Sequence, residues 1–482
     1  MHFMVITQFV AILILFLATS MVLPLSVSLI YKDGSTKPLV LSMLISGCIG
    51  LFFSLLTRAK QNNQLSHRDG IAIVTLGWIM AGLFGTLPYL FSDSIASFTN
   101  AYFESLSGFT TTGASILSNI EILPKGVLLW RSQTQWLGGM GIIVLSIAIL
   151  PYLGVGGMQL YRAEIPSPVV DRLKPRISET AKTLWKVYLL LTVVEILLLV
   201  AGGMSLFDAV NHAFCTMPTG GFSTKNTSIA HFNSPYFDGV IVVFMLFAGM
   251  NFSLHYKLIK GNLKVFAKDA ECRAFLLLVG VFILVVAVNI YGSVFSSFAN
   301  AFRYAAFQVT SIITTTGFAT SDFDQWPPLS KYILLFCMFL GAMAGSTGGG
   351  MKTMRIILLF RYGYQEIFHI IHPHAVTTVK LGGRPVPENI LSSIWGFFIL
   401  YLGLFIAATL FMAGMGLDMV TALASVAASI GNIGPGLGMV GPAKNYLLVP
   451  LAGKWILIFC MLLGRLEIYT VLVLLVPEYW RK

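Results

Sequence analysis

Long apolar runs separated by short polar turns dominate the chain. The first two runs, at about 4–30 and 38–57, are joined by the polar turn 31–35. About 20 apolar residues cross the hydrocarbon core of a membrane as a helix, so each run is long enough to span it. After the polar link 58–69, one unit occurs four times. It consists of a long apolar helix, a short amphipathic segment, a Gly- and Thr-rich turn and another long helix.

The four units predict pairs of long helices with a shorter helix between them. The long helices are predicted at 71–92 and 126–151, 183–202 and 236–256, 274–295 and 330–362, and 391–413 and 446–476. The short ones are predicted near 97–109, 206–216, 299–313 and 418–430. A dozen helical residues cover about 18 Å, roughly half of the bilayer core. Each short helix should therefore enter the membrane and return as extended backbone, which is tolerated only around a cavity.

This pattern predicts an all-α membrane protein with four membrane–pore–membrane repeats around a central pore, preceded by a two-helix N-terminal domain. Internal repetition on this scale decides the fold. The predicted boundaries are 1–69 for the N-terminal domain and 70–160, 161–260, 261–375 and 376–482 for the pore repeats.

Composition supports a membrane location. The chain is 56% hydrophobic and 11% charged, whereas a globular domain is about 25% charged. Its net charge of +11 arises mainly in the loops that lie on one side if the N-terminus is cytoplasmic, whereas the acidic residues divide evenly. Cationic loops mark the cytoplasmic side, so both termini are expected inside and all four Gly- and Thr-rich turns outside. The five scattered cysteines suggest neither a disulfide framework nor a zinc site.

The turns are the candidate ion filter. A dehydrated K⁺ ion needs oxygens in place of its hydration shell, and rings of backbone carbonyls supply them. Glycine lets a strand pass close to an axis, and threonine adds a hydroxyl and a stiff backbone. Four such strands would form one filter. Its predicted residues are Thr110, Thr111, Thr112 and Gly113; Thr216, Thr219 and Gly220; Thr314, Thr315, Thr316 and Gly317; and Gly431, Asn432, Ile433 and Gly434.

A second unusual stretch interrupts the last long helix of the third unit. Five glycines lie among the twelve residues 341–352. Each costs about 1 kcal/mol relative to alanine in a helix, so the segment is predicted to be unwound and movable. By position it lies below the filter, and it is the candidate gate, although glycines also form helix-packing faces. The gate residues are Gly345, Ser346, Thr347, Gly348, Gly349 and Gly350.

Arg465 and Glu467 lie deep within the apolar run 455–476. A charge there needs a partner or an aqueous path. Arg465 is therefore interpreted as a positive barrier in the pore, and Lys352, at the end of the glycine segment, as a member of the same cluster. A structural pair of Arg465 with Glu467 or with a carbonyl remains compatible with this role.

Other candidates have less support. His369, His372 and His374 have a spacing that invites a metal site, but no acidic or thiol residue lies nearby in sequence. Glu195 is a lone acidic residue in a membrane segment, where it could relay protons or pair with a neighbouring helix. The chain contains no Walker A motif, dinucleotide turn or nucleophile elbow, so an enzyme is not expected.

The motifs as a whole resemble those of a known family. They are SGFTTTGAS, QWLGGMGIIVLSIAILP, MPTGGFST, TTTGFATSDFDQWP, GSTGGGMKTMR, HPHAVTTVKLGGRPVP and GRLEIYTVLVL, which run from residue 107 to 475. Together they resemble the TrkH-type subunits of bacterial Trk potassium uptake systems, within the Trk/Ktr/HKT superfamily of potassium transporters. Two departures are Asn432-Ile433, where other quarters have threonine, and the sequence Thr216-Met217-Pro218.

The resemblance implies a function. It implies K⁺ uptake across the bacterial inner membrane through a selective pore in which Gly113, Gly220, Gly317 and Gly434 confer selectivity. It also implies that Gly345–Gly350 gate the pore, that Arg465 stands in it and that the protein is a homodimer. The partner would be a cytosolic TrkA-type regulator, which itself binds nucleotides; this chain would need no organic cofactor. A K⁺ symporter coupled to H⁺ or Na⁺ is the alternative.

Overall fold

Helices account for almost all of the regular structure. The computed structural model describes residues 1–57, 66–148, 177–375 and 377–481. In these ranges six helical segments are long and apolar enough to cross a membrane, and two bent helix pairs raise the number to eight. The prediction of an all-α membrane protein is therefore confirmed. The end of the predicted helix 126–151, part of the polar link 58–69 and the boundary at 160 lie outside the described residues.

The N-terminal helices form the first part of the chain. The predicted helix 4–30 is two helices, α1 (Phe3–Ser20) and α2 (Val22–Tyr31), which break at Met21 and together make one span. α3 (Thr36–Thr57) returns across the membrane. The turn before α3 is fastened to the first repeat, because the backbone N–H of Gly126 donates to Asp33 Oδ2 over 2.6 Å.

Four repeats follow. The first contains α4 (His67–Gly85), α5 (Leu87–Phe91), α6 (Phe98–Phe109) and α7 (Lys125–Ala148), and the second contains α8 (Ile177–Ala201), α9 (Leu206–Thr216), α10 (Pro235–Gly249) and α11 (Phe252–Ile259). After α12 (Val265–Lys268), the third contains α13 (Ala270–Ile290), α14 (Phe298–Ile313), α15 (Pro328–Cys337) and α16 (Thr353–Ile371). The fourth contains α17 (Glu388–Gly414), α18 (Met419–Ile430), α19 (Leu451–Arg465), α20 (Ile468–Leu472) and α21 (Pro477–Trp480).

The short helices of the repeats, here called the pore helices, are α6, α9, α14 and α18. Each follows a serine or aspartate: Ser97, Ser205, Ser297 and Asp418. Such residues favour helix starts because their side chains can accept from free backbone N–H groups. Ser205 and Asp418 do so, with Asp208 N and Thr421 N as donors.

The last long helix is not continuous in three of the four repeats. In the third, helix ends at Cys337 and resumes at Thr353, as the glycines predicted. The expected continuous helices 236–256 and 446–476 are wrong. The second repeat bends by 106° between α10 and α11, and the fourth by 119° between α19 and the helical segment Ile468–Leu475. Apolar composition hid both breaks. Backbone hydrogen bonds to the Gly345–Gly350 segment and its neighbours stabilise the break of the second repeat, and the Arg465 side chain binds the same segment at the break of the fourth.

The remaining regular elements are short. The 3₁₀ turns are Ser228–Phe232, Phe323–Gln325, Gly438–Val440 and Val473–Leu475. The two strands β1 (Lys380–Leu381) and β2 (Arg384–Pro385) pair antiparallel after α16. The chain ends meet on one side of the molecule: Phe3 stacks on Trp480, and Arg68 donates to the Arg481 carbonyl over 2.7 Å.

Candidate ion filter and gate

The four turns after the pore helices share one backbone conformation. In each, a non-glycine residue with positive φ is followed two positions later by a glycine with positive φ. The pairs are Thr111 and Gly113, Thr219 and Gly221, Thr315 and Gly317, and Asn432 and Gly434. Positive φ favours glycine because other residues carry a Cβ that clashes with the backbone. The sequence placed Gly220 at the glycine position of the second quarter, but the structure aligns Gly221 with the other three, and Gly220 takes the place of Thr112.

Backbone hydrogen bonds give the same alignment. The N–H groups of Thr112 and Gly113 both donate to the carbonyl of Ser107. Those of Gly220 and Gly221 donate to Cys215, and those of Thr316 and Gly317 donate to Ser311. The fourth turn keeps the first of these bonds, from the Ile433 N–H to the Ala428 carbonyl, so all four turns fold back onto the last turn of their own pore helix in the same register.

The four turns form a closed ring. A Cβ placed on Gly113 would lie 2.0 Å from the carbonyl oxygen of Gly220, and one on Gly221 would lie 1.9 Å from that of Thr316. One on Gly317 would lie 1.9 Å from the oxygen of Ile433, and one on Gly434 would lie 2.7 Å from that of Thr112. Each quarter thus touches the next, and the fourth touches the first. Because the last contact is longer, the ring is only approximately fourfold.

Side chains of the predicted filter residues are buried around this ring. The threonines of the first and third quarters match: the hydroxyls of Thr110 and Thr112 are 2.8 Å apart, as are those of Thr314 and Thr316. Thr216 does not belong with them. It is the last residue of α9, and its hydroxyl donates to the His212 carbonyl over 2.8 Å.

The fourth quarter uses an amide where the others have hydroxyls. Asn432 Nδ2 donates to Thr112 Oγ1 over 2.9 Å and to the Met461 carbonyl over 3.0 Å. Asn432 therefore ties the fourth quarter to the first and to α19. Gly431 caps α18 with right-handed backbone angles, at the position that Thr110 and Thr314 occupy in their own quarters.

All four pore helices end where the ring begins. The C-terminus of a helix carries a partial negative charge of about half an elementary charge. The converging ends of α6, α9, α14 and α18 therefore make the ring favourable for a cation, even before any carbonyl coordinates it.

The segment Met338–Lys352, here called the gate loop, interrupts the last long helix of the third repeat, and hydrogen bonds join its two ends. The Gly341 N–H donates to the Met351 carbonyl over 2.7 Å, and Thr353 Oγ1 donates to the Gly341 carbonyl over 2.8 Å. The chain between these ends is therefore a loop with a fixed base, whose tip carries Gly345–Gly350.

The tip of the gate loop lies against the inner ends of the filter quarters. The Gly349 N–H donates to Thr315 Oγ1 over 2.7 Å, and Thr347 Oγ1 lies 2.9 Å from the carbonyl oxygen of Met217. A Cβ on Gly349 would lie 2.7 Å from the Gly431 carbonyl. The loop thus contacts the second, third and fourth quarters.

The gate loop also joins the break of the second repeat. The Met343 N–H donates to the Gly249 carbonyl over 3.0 Å, and the Phe252 N–H donates to the Gly345 carbonyl over 3.0 Å. These bonds satisfy backbone groups that the bend between α10 and α11 leaves without helical partners. The bend therefore depends on the loop.

Arg465 joins the gate loop to the first repeat. Its Nη1 donates to the Thr347 carbonyl over 2.7 Å, and its Nη2 to the Gly138 carbonyl of the first repeat over 3.2 Å. Arg465 is 4% exposed. Of the two structural pairs considered from sequence, the carbonyl pair is present, whereas Glu467 pairs with Arg355. Lys352 donates to the Gly348 carbonyl, so all three predicted charges lie beside the loop.

Two residues that hold the gate loop were missed in the sequence. The Glu271 carboxylate accepts from the N–H groups of Ala344 over 2.8 Å and of Met354 over 3.1 Å. It thereby connects the loop and the start of α16 to α13. Arg355, which pairs with Glu467, follows the loop directly. The sequence holds only a weak signal for either, because Glu271 lies among Lys268, Asp269 and Arg273, and only Arg355 borders an apolar run.

The weaker candidates lie elsewhere. His369 Nε2 is 2.6 Å from Thr377 Oγ1, and no cluster of three potential metal ligands occurs in the described ranges. Glu195 is fully buried on α8 beside Thr216. Its carboxylate oxygens make no hydrogen bond within the part of the chain that the structure describes.

Comparisons with known proteins agree over the whole chain. The TrkH family model, described as a cation transport protein, matches residues 43–482. The Trk system potassium uptake protein TrkH of Escherichia coli K12 is 46% identical over 100% of both chains. TrkG of the same organism, also a Trk system potassium uptake protein, is 36% identical over 100% of this chain and 99% of its own. The crystal structure of the potassium transporter TrkH from Vibrio parahaemolyticus superposes with a TM-score of 0.91, at 40% identity and 100% coverage of both chains.

Proposed function

The chain belongs to the TrkH family of cation transport proteins, as its motifs indicated, and we propose that it is the K⁺-translocating subunit of a Trk uptake system. Its relatives are transporters rather than enzymes. The observation that carries the proposal is the closed ring of four turns, in which each glycine packs against a carbonyl of the next quarter. Such a ring can present carbonyl oxygens to a dehydrated ion from four sides.

The filter consists of the four predicted strands without Thr216, and Gly221 rather than Gly220 is the close-contact glycine of the second quarter. K⁺ is the transported ion rather than a resident cofactor. Selectivity depends on how closely the four turns approach one another, because the spacing of the oxygens sets their field on the ion.

The gate loop, with Arg465, closes the pore on the cytoplasmic side of the filter. Support comes from its contacts with three filter quarters and from the bond of Arg465 to the Gly138 carbonyl of the remaining repeat. Opening requires these bonds to break, and a positive charge in the same place opposes the passage of cations. Transport is then gated and passive, down the electrochemical gradient of K⁺.

The H⁺- or Na⁺-coupled symporter remains a second candidate because of Glu195. A buried carboxyl group without a hydrogen bond is costly in its charged form, so it could carry a proton. Changing Glu195 to Gln separates the two functions. A passive pore keeps its K⁺ flux after Glu195→Gln and after the H⁺ gradient is collapsed. A symporter coupled through Glu195 loses its K⁺ flux after either change.

The protein is proposed to be a homodimer that binds a TrkA-type cytosolic regulator. An apolar stripe on α16 supports the dimer: Phe360, Tyr364, Ile367 and Ile371 are all exposed and recur at helical spacing. Phe360→Gln should shift the mass measured by light scattering in detergent toward that of one chain. Leu277→Gln, on the exposed face of α13, is the matched control and should leave the mass unchanged.

The proposed location is the bacterial inner membrane, with both termini cytoplasmic. The meeting of the N- and C-terminal segments on one side supports a shared side for the two ends. The boundaries 69, 160, 260 and 375 remain the proposed limits of the N-terminal domain and the repeats.

The decisive experiment is Rb⁺ uptake by this protein in a bacterial strain that lacks its own K⁺ uptake systems, with and without the regulator. Uptake that K⁺ suppresses and Na⁺ does not would support the proposal. Absence of uptake with the regulator present, in cells whose membranes contain the protein, would contradict it.

A further inference from the structure

One position of each pore helix is equivalent in the four quarters. In three of them its side chain binds the extended segment that follows the filter turn, here called the outgoing strand. These residues lie at the same sequence distance before the close-contact glycine of their own quarter, and they become equivalent only once Gly221 is aligned with the other three. They are Glu104, His212, Gln308 and Ser425.

Three of the four bind the outgoing strand. Glu104 accepts from Ser115 Oγ over 3.0 Å and from the Ile116 N–H over 2.9 Å. His212 Nε2 is 2.9 Å from Ser223 Oγ, and the Gln308 amide is 3.2 Å from Thr320 Oγ1. These bonds hold each outgoing strand against its own pore helix.

The fourth position differs, because Ser425 bonds within its own helix, to the Ala422 carbonyl over 3.2 Å. The fourth quarter relies on Tyr446 instead, whose hydroxyl donates to the Gly434 carbonyl over 2.6 Å. A different chemical group thus holds each quarter: a carboxylate, an imidazole, an amide and a phenol hydroxyl.

Only the first quarter carries an ion pair at this position. Arg131 of α7 donates from Nε to Glu104 Oε1 over 2.7 Å, and from Nη1 to the Ser223 carbonyl over 2.9 Å. Its guanidinium also lies 3.6 Å from the centre of the Phe222 ring. Arg131 is 2% exposed and Glu104 is fully buried. One guanidinium therefore connects the pore helix of the first quarter to the outgoing strand of the second.

Gln135 makes the same connection one helical turn further along α7. Its Nε2 donates to the Gly220 carbonyl over 2.7 Å, and its Oε1 accepts from the Phe222 N–H over 3.1 Å. Residues four apart share one face of a helix, so Arg131 and Gln135 both bind the second quarter from the same face of α7. The Gly220 carbonyl oxygen that Gln135 binds is also the atom against which Gly113 packs in the ring.

We propose that Glu104, Arg131 and Gln135 form a clamp that sets the separation of the first two filter quarters, and that they determine selectivity for K⁺ over Na⁺ as positioning residues. The inference rests on the proposed function. Hydrogen bonds to charged groups resist displacement more than neutral ones do, so the clamp makes this side of the ring the stiffest. A looser ring lets the oxygens close around the smaller Na⁺ ion, and discrimination falls.

The test compares purified Glu104→Gln and Gln135→Met in proteoliposomes with the unchanged protein. Glu104→Gln keeps the shape but removes the negative charge, and because an amide NH₂ cannot accept, either Arg131 or the Ile116 N–H loses its acceptor. Gln135→Met removes two hydrogen bonds and no charge. Asp238→Asn is the matched control. It weakens the 2.7 Å pair of Asp238 with Arg303, which joins α10 to α14 and touches no filter strand.

The readout is the Na⁺ concentration that halves Rb⁺ uptake divided by the K⁺ concentration that does so. This ratio does not depend on how much of the protein is folded. We expect Na⁺ to compete about tenfold better in both clamp variants, equivalent to about 1.4 kcal/mol, and no change in Asp238→Asn. The clamp is refuted if Gln135→Met, or a folded Glu104→Gln, keeps the original ratio, or if Asp238→Asn loses selectivity equally. If the unchanged protein itself does not prefer K⁺, the proposed function fails instead.

Discussion

Gly113→Ala tests how closely the filter quarters approach one another. The added Cβ would lie 2.0 Å from the Gly220 carbonyl oxygen, whereas a carbon and a carbonyl oxygen in contact are about 3.3–3.6 Å apart. The carbonyl or the first quarter must therefore move by about 1 Å or more. Gly113 also has a φ of +78°, which costs a residue with a Cβ about 1–2 kcal/mol.

The two costs can be separated within the chain. Gly203 has a φ of +97° and nothing within 4 Å of an added Cβ, so Gly203→Ala has only the backbone cost. Overpacking adds about 1–3 kcal/mol, which brings Gly113→Ala to about 2–5 kcal/mol. Gly434→Ala, with its contact at 2.7 Å, should fall between them.

The assay is thermal unfolding together with Rb⁺ uptake in the presence of competing K⁺ or Na⁺. We expect Gly113→Ala to unfold at the lowest temperature and to lose K⁺ preference, with Gly434→Ala less affected and Gly203→Ala selective. Equal loss of stability in Gly113→Ala and Gly203→Ala, with selectivity intact, would refute the close packing of the ring.

Three further predictions concern the gate and the N-terminal turn. Arg465→Gln removes the charge that binds the Thr347 carbonyl and should raise K⁺ flux severalfold in proteoliposomes without the regulator; unchanged or lower flux would count against the closure. Glu271→Gln weakens the bonds that hold the gate loop and should likewise raise basal flux, while the K⁺ to Na⁺ ratio stays constant; a changed ratio would instead place Glu271 in filter support. Burial opposes ionisation of Asp33, but hydrogen bonds led by the Gly126 N–H outweigh it and lower its pKa below 3.8. The stability that ionised Asp33 contributes is therefore complete above pH 3.8 and is lost as pH falls through the lowered pKa. Asp33→Asn should reduce Tm by about 1–2 °C at neutral pH and by less below pH 3.8. An equal reduction of Tm at both pH values would contradict this.

The repeats and the family could be predicted from sequence because both depend on long patterns. Apolar runs of membrane length and a Gly- and Thr-rich turn after each short helix recur four times, and the family membership that the motifs indicated is confirmed. The glycine segment likewise predicted the interruption between Cys337 and Thr353.

The register of the second quarter could not be predicted, because Gly220 and Gly221 are adjacent and the Thr-Gly pattern of the other quarters points to Gly220, which follows Thr219. The structure distinguishes them by backbone angles and hydrogen bonds: Gly221 has a φ of +77°, as its three counterparts have positive φ, and its N–H donates to Cys215 in the matching register. The bends after Gly249 and Arg465 were also missed. Their hydrogen-bond partners lie in the gate loop, far away in sequence, so no local pattern marks them.

Long-range charge pairs were missed for the same reason. Glu104 and Arg131 pair across two helices, as do Arg355 and Glu467, and the sequence offers many other combinations. Arg131 lies within the predicted helix 126–151, and its side chain is 2% exposed. A charged residue inside a membrane helix is a better signal of a specific interior contact than of topology.

A passive, gated, K⁺-selective pore is tested most directly by Rb⁺ uptake into proteoliposomes loaded with K⁺, with an ionophore present to collapse any H⁺ gradient and with the gate released by Arg465→Gln. We expect Rb⁺ to accumulate, driven only by the K⁺ gradient, and external K⁺ but not Na⁺ to suppress its entry. Uptake that requires an H⁺ or Na⁺ gradient, or that Na⁺ suppresses as well as K⁺ does, would contradict a passive K⁺-selective pore.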